Sequence, residues 1–461
     1  MPDTPSRLRE VAWHELFPWL ILLRSIRIAL MARVFVLGAI GLIAMTLGWM
    51  AIGKLFNPVN DDQVIADWRT VANRWVWEES RGFEIVMSAR SAAHIFLSAW
   101  EGIHEAPVAL WLHLTRPFVD LFRAELTPLG FLHLLLCCLW ELAVWGLIGG
   151  AITRIAALKF TRDEAPGFLA ALKHGVSKFL SYSIAPLIAL AGASVFSLQL
   201  VVLGRLMRVD LFAFIAALIW PFVLLLGLLM AILLIGALVG WPLMWSTVSV
   251  EGTDAFDALS RSYAYVFQRP LRLLWYVLFA GLLAALSMFV VKAFAGASIA
   301  LGDWSVSWGL DQDTMGQVVA SGAARDPLFE PYPPETLAPP LDETSARGEP
   351  AEDPAEADIE QRGWLERAGR GLIYFWKSLM AALAAGYQAG FLWVSAVGIY
   401  LLLRRDIDGA EMDEVYIDQD DDYGLPPLEE DAATGVPEVT PNGAVTPGDE
   451  PGKSQPPPAV P

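Results

Sequence analysis

The sequence predicts an all-α fold: a polytopic membrane helical bundle of about six transmembrane helices, with amphipathic interfacial helices and disordered acidic segments. Three observations predict it. The 461-residue chain is 55% hydrophobic and only 18% charged, too little charge to cover soluble domains of that total length. Uncharged runs of bilayer-spanning length recur along it. The acidity is confined to two hydrophilic segments: residues 406–461 carry 15 acids and one Lys, and residues 297–370 carry 15 acids and 5 Arg. With a formal charge of −18 overall, the remaining chain is +6. Two cysteines exclude a disulfide scaffold and a thiolate metal cluster.

A span needs about 20 apolar residues. Residues 34–53, 179–204, 273–291 and 378–403 are uncharged, and 129–152 are apolar apart from His133 and Glu141. Residues 211–250 form an uncharged run of 40, long enough for two spans, but no polar turn interrupts it. A single span near 222–245 places four basic clusters on one side: Arg24/Arg27/Arg33, Arg154/Lys159/Arg162/Lys173/Lys178, Arg261/Arg269/Arg272 and Arg404/Arg405. Two spans would split them, against the positive-inside bias. The preceding stretch 211–220 is expected at the outer interface or packed obliquely, with Pro221 starting or bending the helix.

The expected protein is therefore multi-pass in the inner membrane with both termini cytoplasmic. Residues 54–128 and 297–370 are then outside, and Arg205 and Arg208 are a mild departure from the bias. The first span reads as an uncleaved signal anchor, because the 33 residues before it are partly apolar and unlike a short basic leader.

The organisation that follows is an interfacial helix and first span (1–53), an extracytoplasmic helical segment (54–128), and two transmembrane repeat units (129–204 and 205–296). An acidic Pro-rich loop (297–370), a last span (371–405) and an acidic cytoplasmic tail (406–461) complete it. Two or three surface helices are expected in 54–128, from apolar spacing such as Ile85, Ala89, Phe96 and Trp100. Segment 325–360 and the tail are expected to be disordered. Trp49, Trp241, Trp245, Trp275 and Trp376 fall near span ends, where an interfacial belt is expected.

The repeat appears in the two basic loops at an offset of 87 residues. Phe168, Leu172, Val176 and Phe179 form one apolar seam, and Ala255, Leu259, Tyr263 and Val266 occupy the matching positions. Glu164 aligns with Glu251, and Pro166 with Thr253 at the helix start. A fainter third copy lies at Leu22–Ser25, like Leu259–Ser262. Such helices lie in the headgroup layer, where Lys173, Lys178, Arg261 and Arg269 are candidate contacts to anionic lipid, each worth about 1 kcal/mol. Plain surface anchoring is the alternative.

Glu141 is the leading membrane-embedded candidate. An ionisable group at mid-span costs about 2.5 kcal/mol or more unless it faces a partner or water. It reads either as a proton or cation site or as a neutral, hydrogen-bonded packing residue. His94, Glu101, His104 and Glu105 are weak candidate metal ligands at helical spacing, without a zincin pattern. Cys137 and Cys138 read as buried small residues, and Lys292 and Lys377 as snorkelling cations, Lys377 with the option of a local pair. No catalytic or nucleotide-binding motif occurs, no cofactor is implied, and nothing supports nucleic-acid binding.

The stretches "RDEAPGFLAALKHG" and "EGTDAFDALSRSYAYVFQRP" are similar to loops in multi-pass bacterial inner-membrane proteins of uncharacterised activity. The pattern "EG…AL.RS…V" resembles segments of the membrane domain attached to some glycerophosphodiester phosphodiesterases. "FPWLILLRSIRIAL" and "DEVYIDQDDDYGLPPL" resemble the ends of the same proteins. The resemblance implies a six-span bundle without the soluble phosphodiesterase domain. Two functions compete. One is a non-enzymatic scaffold whose acidic tail recruits a protein partner. The other is a transporter of a small solute, ion or lipid, using Glu141. A polar cavity reaching Glu141 favours transport, and a sealed apolar bundle favours scaffolding. Val415, Tyr416 and Ile417 among the tail's acids suggest a short segment, about 411–428, that docks on a basic surface such as the Lys173/Lys178 and Arg261/Arg269 helices.

Overall fold

The computed structural model describes residues 17–56, 63–72, 106–123, 126–308, 364–417, 428–430 and 437–439. It divides into two units, Met1–Tyr416 and Ile417–Pro461. The described part of the first is all-α. After a 3-10 turn at Pro18–Leu22 come α1 (Leu23–Ala29), α2 (Ala32–Leu55), α3 (Gln63–Ala72), α4 (Ala106–Asp120), α5 (Pro128–Thr161) and α6 (Phe168–Ser177). Then follow α7 (Phe179–Leu206), α8 (Asp210–Leu218), α9 (Trp220–Glu251), α10 (Ala255–Gln268), α11 (Pro270–Ser307) and α12 (Trp364–Asp408). Six of these, α2, α5, α7, α9, α11 and α12, are long and apolar enough to cross a membrane. In the second unit, β1 (Leu428–Glu430) and β2 (Pro437–Val439) pair antiparallel, Leu428 opposite Val439.

The 40-residue run contains one spanning helix, with Pro221 in its first turn, and the oblique stretch is the separate α8. The two basic loops are built alike. Each is a long helix, an amphipathic helix and a second long helix. The residues capping α6 and α10, Gly167 and Asp254, lie 87 positions apart. α10 is 14 residues against 10 for α6, so the following spans begin at Phe179 and Pro270. The apolar seam expected on α6 does not face the bundle. Its buried residues are Ala171, His174 and Gly175, while Phe168, Leu169 and Val176 are exposed. In a bilayer the outside is as apolar as the interior, so small residues mark the packed face.

At the fainter third copy, the 3-10 turn and α1 lie on α12, where Gly398 abuts Leu22 of the turn, and α1 buries Ser25, Ile28 and Ala29. α10 buries Ala258, Ser262, Tyr265 and Val266. α2 and α12 make the most intimate crossing. A methyl at Gly38 would land on the Gly386 carbonyl, and one at Gly386 on the backbone of Phe35 and Ala39.

The expected tryptophan belt is also corrected. Trp49, Trp241 and Trp245 are buried, while Trp275 and Trp376 are exposed. Trp245 stacks on Trp393 at 4.5 Å, with Trp241 and Trp145 each 5.7 Å from Trp393. The Trp245 indole donates to the Tyr182 carbonyl at 2.8 Å, so its polar end is satisfied inside the bundle.

In segment 54–128 the described helices are α3 and α4. α4 buries Leu110, His113 and Leu114, and sets Trp111 and Phe118 against Trp241 of α9. Lys292 is buried rather than snorkelling outward, and Lys377 pairs with Asp303 at 2.7 Å. Segment 325–360 lies outside the described residues.

Candidate functional site

Glu141 sits in the first half of α5 and is completely enclosed. His133, Cys137 and Glu141, at i, i+4 and i+8, form one buried stripe. The Cys137 thiol lies 3.8 Å from His133 Nε2, both cysteines are free and buried, and Trp49 Nε1 is 3.4 Å from the Cys137 carbonyl. Among the described residues neither Glu141 carboxyl oxygen has a hydrogen-bond partner. A groove of about 270 Å³ passes beside it, between α4, α5, α7 and α9. Leu142, Phe118, Pro186, Leu234 and Trp241 are among its lining, which is apolar and does not include Glu141.

The polar chemistry collects instead at the end of the bundle where α1, α6 and α10 turn. Glu251, the last residue of α9, is its hub. Arg261 of α10 approaches its carboxylate at 2.8 Å and Arg404 of α12 at 3.2 Å, and the Tyr400 hydroxyl donates to it. Glu251 and Arg404 side chains are only 10% and 12% exposed, so the pair is largely desolvated and depends on its other hydrogen bonds. Tyr265 donates to Asp408, and Tyr276 to Asp406 at 2.9 Å, with Arg272 2.8 Å from Asp406. Burial and then the Asp408 carboxylate push the Tyr265 phenol well above its usual range, so it stays a donor.

A second cluster lies beside the first. Arg154 of α5, 3% exposed, donates to the carbonyls of Ser249 at 3.0 Å and Tyr416 at 2.8 Å. Ser249 bridges Thr153 at 2.6 Å and Tyr182 at 2.7 Å. Lys178 donates to the Gly252 carbonyl at 2.6 Å and lies 5.5 Å over the Tyr416 ring. On the other side, Arg24 reaches the carbonyls of Lys159 and Phe160, and Arg33 those of Ala165 and Pro166. Asp163, in the left-handed region at φ 60°, pairs with Lys159 at 3.0 Å and Arg24 at 3.3 Å. The Lys159 bond chiefly, with Arg24 and Arg27, holds the Asp163 carboxyl below its usual range.

Four basic clusters thus share one end of the bundle. Of the four candidate headgroup cations, Lys178 bonds the Gly252 carbonyl and Arg261 pairs with Glu251, and Lys173, Arg261 and Arg269 are exposed. The weak metal candidates His94, Glu101 and His104 lie outside the described residues. Among the described residues no group of three His, Cys, Asp or Glu could hold a metal ion. Sequence reasoning did not assign Glu251, Tyr400 and Arg154 to a site. The available signal was Glu251, the first charge after the 40-residue uncharged run.

Comparison with known proteins returns no match: no family model, no curated protein and no solved structure matches the chain.

Proposed function

We propose that this chain is a non-enzymatic scaffold or assembly factor of a bacterial inner membrane, with both termini cytoplasmic and the acidic tail as its recruiting arm. The observation that carries this reading is the enclosure of Glu141. The embedded carboxyl is fully buried, and the adjacent groove is apolar and leaves it out. The stacked tryptophans Trp241, Trp245 and Trp393 are buried and packed against one another inside the bundle. The ion pairs at the basic end then tie α9, α10 and α12 into one platform. Cytoplasmic termini are supported by the four basic clusters at that end.

The test is capture of the intact protein, with its lipids, from native membranes, alongside a chain ending at Ile417. A stoichiometric protein partner retained by the full chain and lost from the shortened one is expected. Saturable solute uptake by reconstituted vesicles, abolished in Glu141→Gln, would establish transport instead. The observation favouring that second reading is the unpartnered Glu141 carboxyl. Reporter fusions after residue 320 and after residue 417 should report opposite sides of the membrane, and the same side would refute the topology.

A further inference from the structure

Past Asp408 the chain turns at Gly409, φ 68°, and runs back over the basic end as far as Tyr416. The segment is held at both ends. Arg404 donates to the Glu414 carbonyl at 2.8 Å and to its carboxylate at 3.1 Å. Tyr416 N–H donates to the Val250 carbonyl at 2.7 Å, and the Tyr416 carbonyl accepts from the buried Arg154. The Tyr416 ring rests on Gly252, where φ is 65° and a Cβ would collide with it, under the Lys178 ammonium. Met412 and Val415 pack against the core.

What is bound is a helix end. The last carbonyls of a helix have no partners within it. Here Gly252 N–H takes the Val248 carbonyl, Arg154 that of Ser249, Tyr416 that of Val250, and Lys178 that of Gly252. Three of the four donors come from elsewhere in the chain, and one is supplied by a peptide with an acid two residues before an aromatic. Backbone pairing for affinity, with side-chain pockets for charge and ring, is how extended peptides are recognised. The peptide is lightly held: Tyr416 is 38% exposed and the Glu414 side chain 60%. The entropy of ordering the segment opposes its contacts.

We propose that the end of α9, with Arg154, Lys178, Gly252 and Arg404, is a recognition site for an acidic segment carrying Glu-Val-Tyr. The protein's own Glu411–Tyr416 fills it as a displaceable, tethered ligand. The same segment of a second copy enters when the first is withdrawn. The inference goes beyond the scaffold reading and stands without it, since a transporter could carry the same latch.

The test uses the protein in nanodiscs and a labelled peptide of residues 409–420. A chain ending at Asp408 should bind the peptide saturably, and one ending at Ile417, its site filled, at least tenfold more weakly. Tyr416→Ala in the peptide should weaken binding tenfold or more, and a scrambled peptide of equal charge should not bind. Equal binding by the two chains, or by the scrambled peptide, overturns the proposal and leaves bulk charge attraction. Should the shorter chain fail to accumulate, amide exchange on the intact protein decides. With Tyr416→Ala, residues 411–415 should exchange like free peptide while α9 stays protected. Unchanged protection, or loss of α9 protection as well, overturns a displaceable ligand.

Discussion

Two carboxylates in spanning helices have opposite surroundings. Glu251 receives Arg261, Arg404 and Tyr400, whereas Glu141 receives no donor among the described residues. Glu251→Ala removes the shared partner of Arg404, Arg261 and Tyr400 and leaves Arg404 with Glu414, and breaking a largely buried pair costs up to about 3–5 kcal/mol. Tyr400→Phe removes one hydrogen bond to a carboxylate, about 1.5–3 kcal/mol. Thermal unfolding in detergent should therefore fall further for Glu251→Ala than for Tyr400→Phe, and the reverse order would deny Glu251 its role as hub. At Glu141, Gln keeps the shape of a neutral acid and should accumulate in the membrane like the parent. Lys brings a charge costing about 2.5–3.5 kcal/mol near the midplane and should not. Equal accumulation of the two would place Glu141 beside water. Glu141 was legible in the sequence because a lone acid interrupts an apolar run. The Glu251 cluster was not, because its Tyr400 partner lies 149 residues away and residue spacing records only neighbours on one helix.

Among the elements, the contact of α2 with α12 depends on absent side chains. Gly38→Ala must push the two backbones apart, so about 1–3 kcal/mol of overpacking cost is expected. Gly281→Ala on α11, with nothing within 4 Å, should be neutral or slightly stabilising. Melting temperatures of the two variants check this, and equal effects would mean the crossing yields without cost. The helices themselves were legible from length and hydropathy, and the split between α8 and α9 from Pro221. Which face of a helix packs inward was not. On α6 the larger apolar residues Phe168 and Val176 turn outward while Ala171 and Gly175 turn inward. The tryptophans misled for the same reason: interfacial anchoring and core filling both place Trp in apolar runs, and only the facing residues distinguish them. Gly149, beside Trp245 and Trp393, is such a residue.

Across the whole first unit, three short helices each lie on a long one: α1 on α12, α6 on α5 and α10 on α9. In the two continuous cases a long helix is followed by its amphipathic helix and then a second span. In the third, α12 is the long helix, and α1 and α2 follow it in space but precede it in sequence. Ser25 and Ser262, aligned in sequence, are both fully buried, and Gly175, which aligns with Ser262, is buried too. If these are three equivalent units, with one interrupted between α12 and α1, continuity of the chain there is immaterial to the fold. A permuted chain tests this. It begins at Glu164, runs to Ile417, continues through a flexible linker into Phe17, and ends at Asp163. About 15 Gly/Ser residues reach roughly 20 Å; Tyr416, before one join, bonds Val250 near the end of α9, and Trp19, after the other, meets Trp275 in the first turns of α11. The new break falls among exposed residues between α5 and α6, where Asp163 pairs with Lys159 and Arg24 and Arg33 holds the Ala165 and Pro166 carbonyls; partly exposed pairs of this kind are worth about 0–1 kcal/mol each. This chain should accumulate in membranes and melt within a few degrees of the parent. A second permutant, opened at Gly175 inside the packed face of α6, should not accumulate. If both fail alike, the α12–α1–α2 set is not an independent unit closed by packing alone, and the repeat is confined to the two continuous copies.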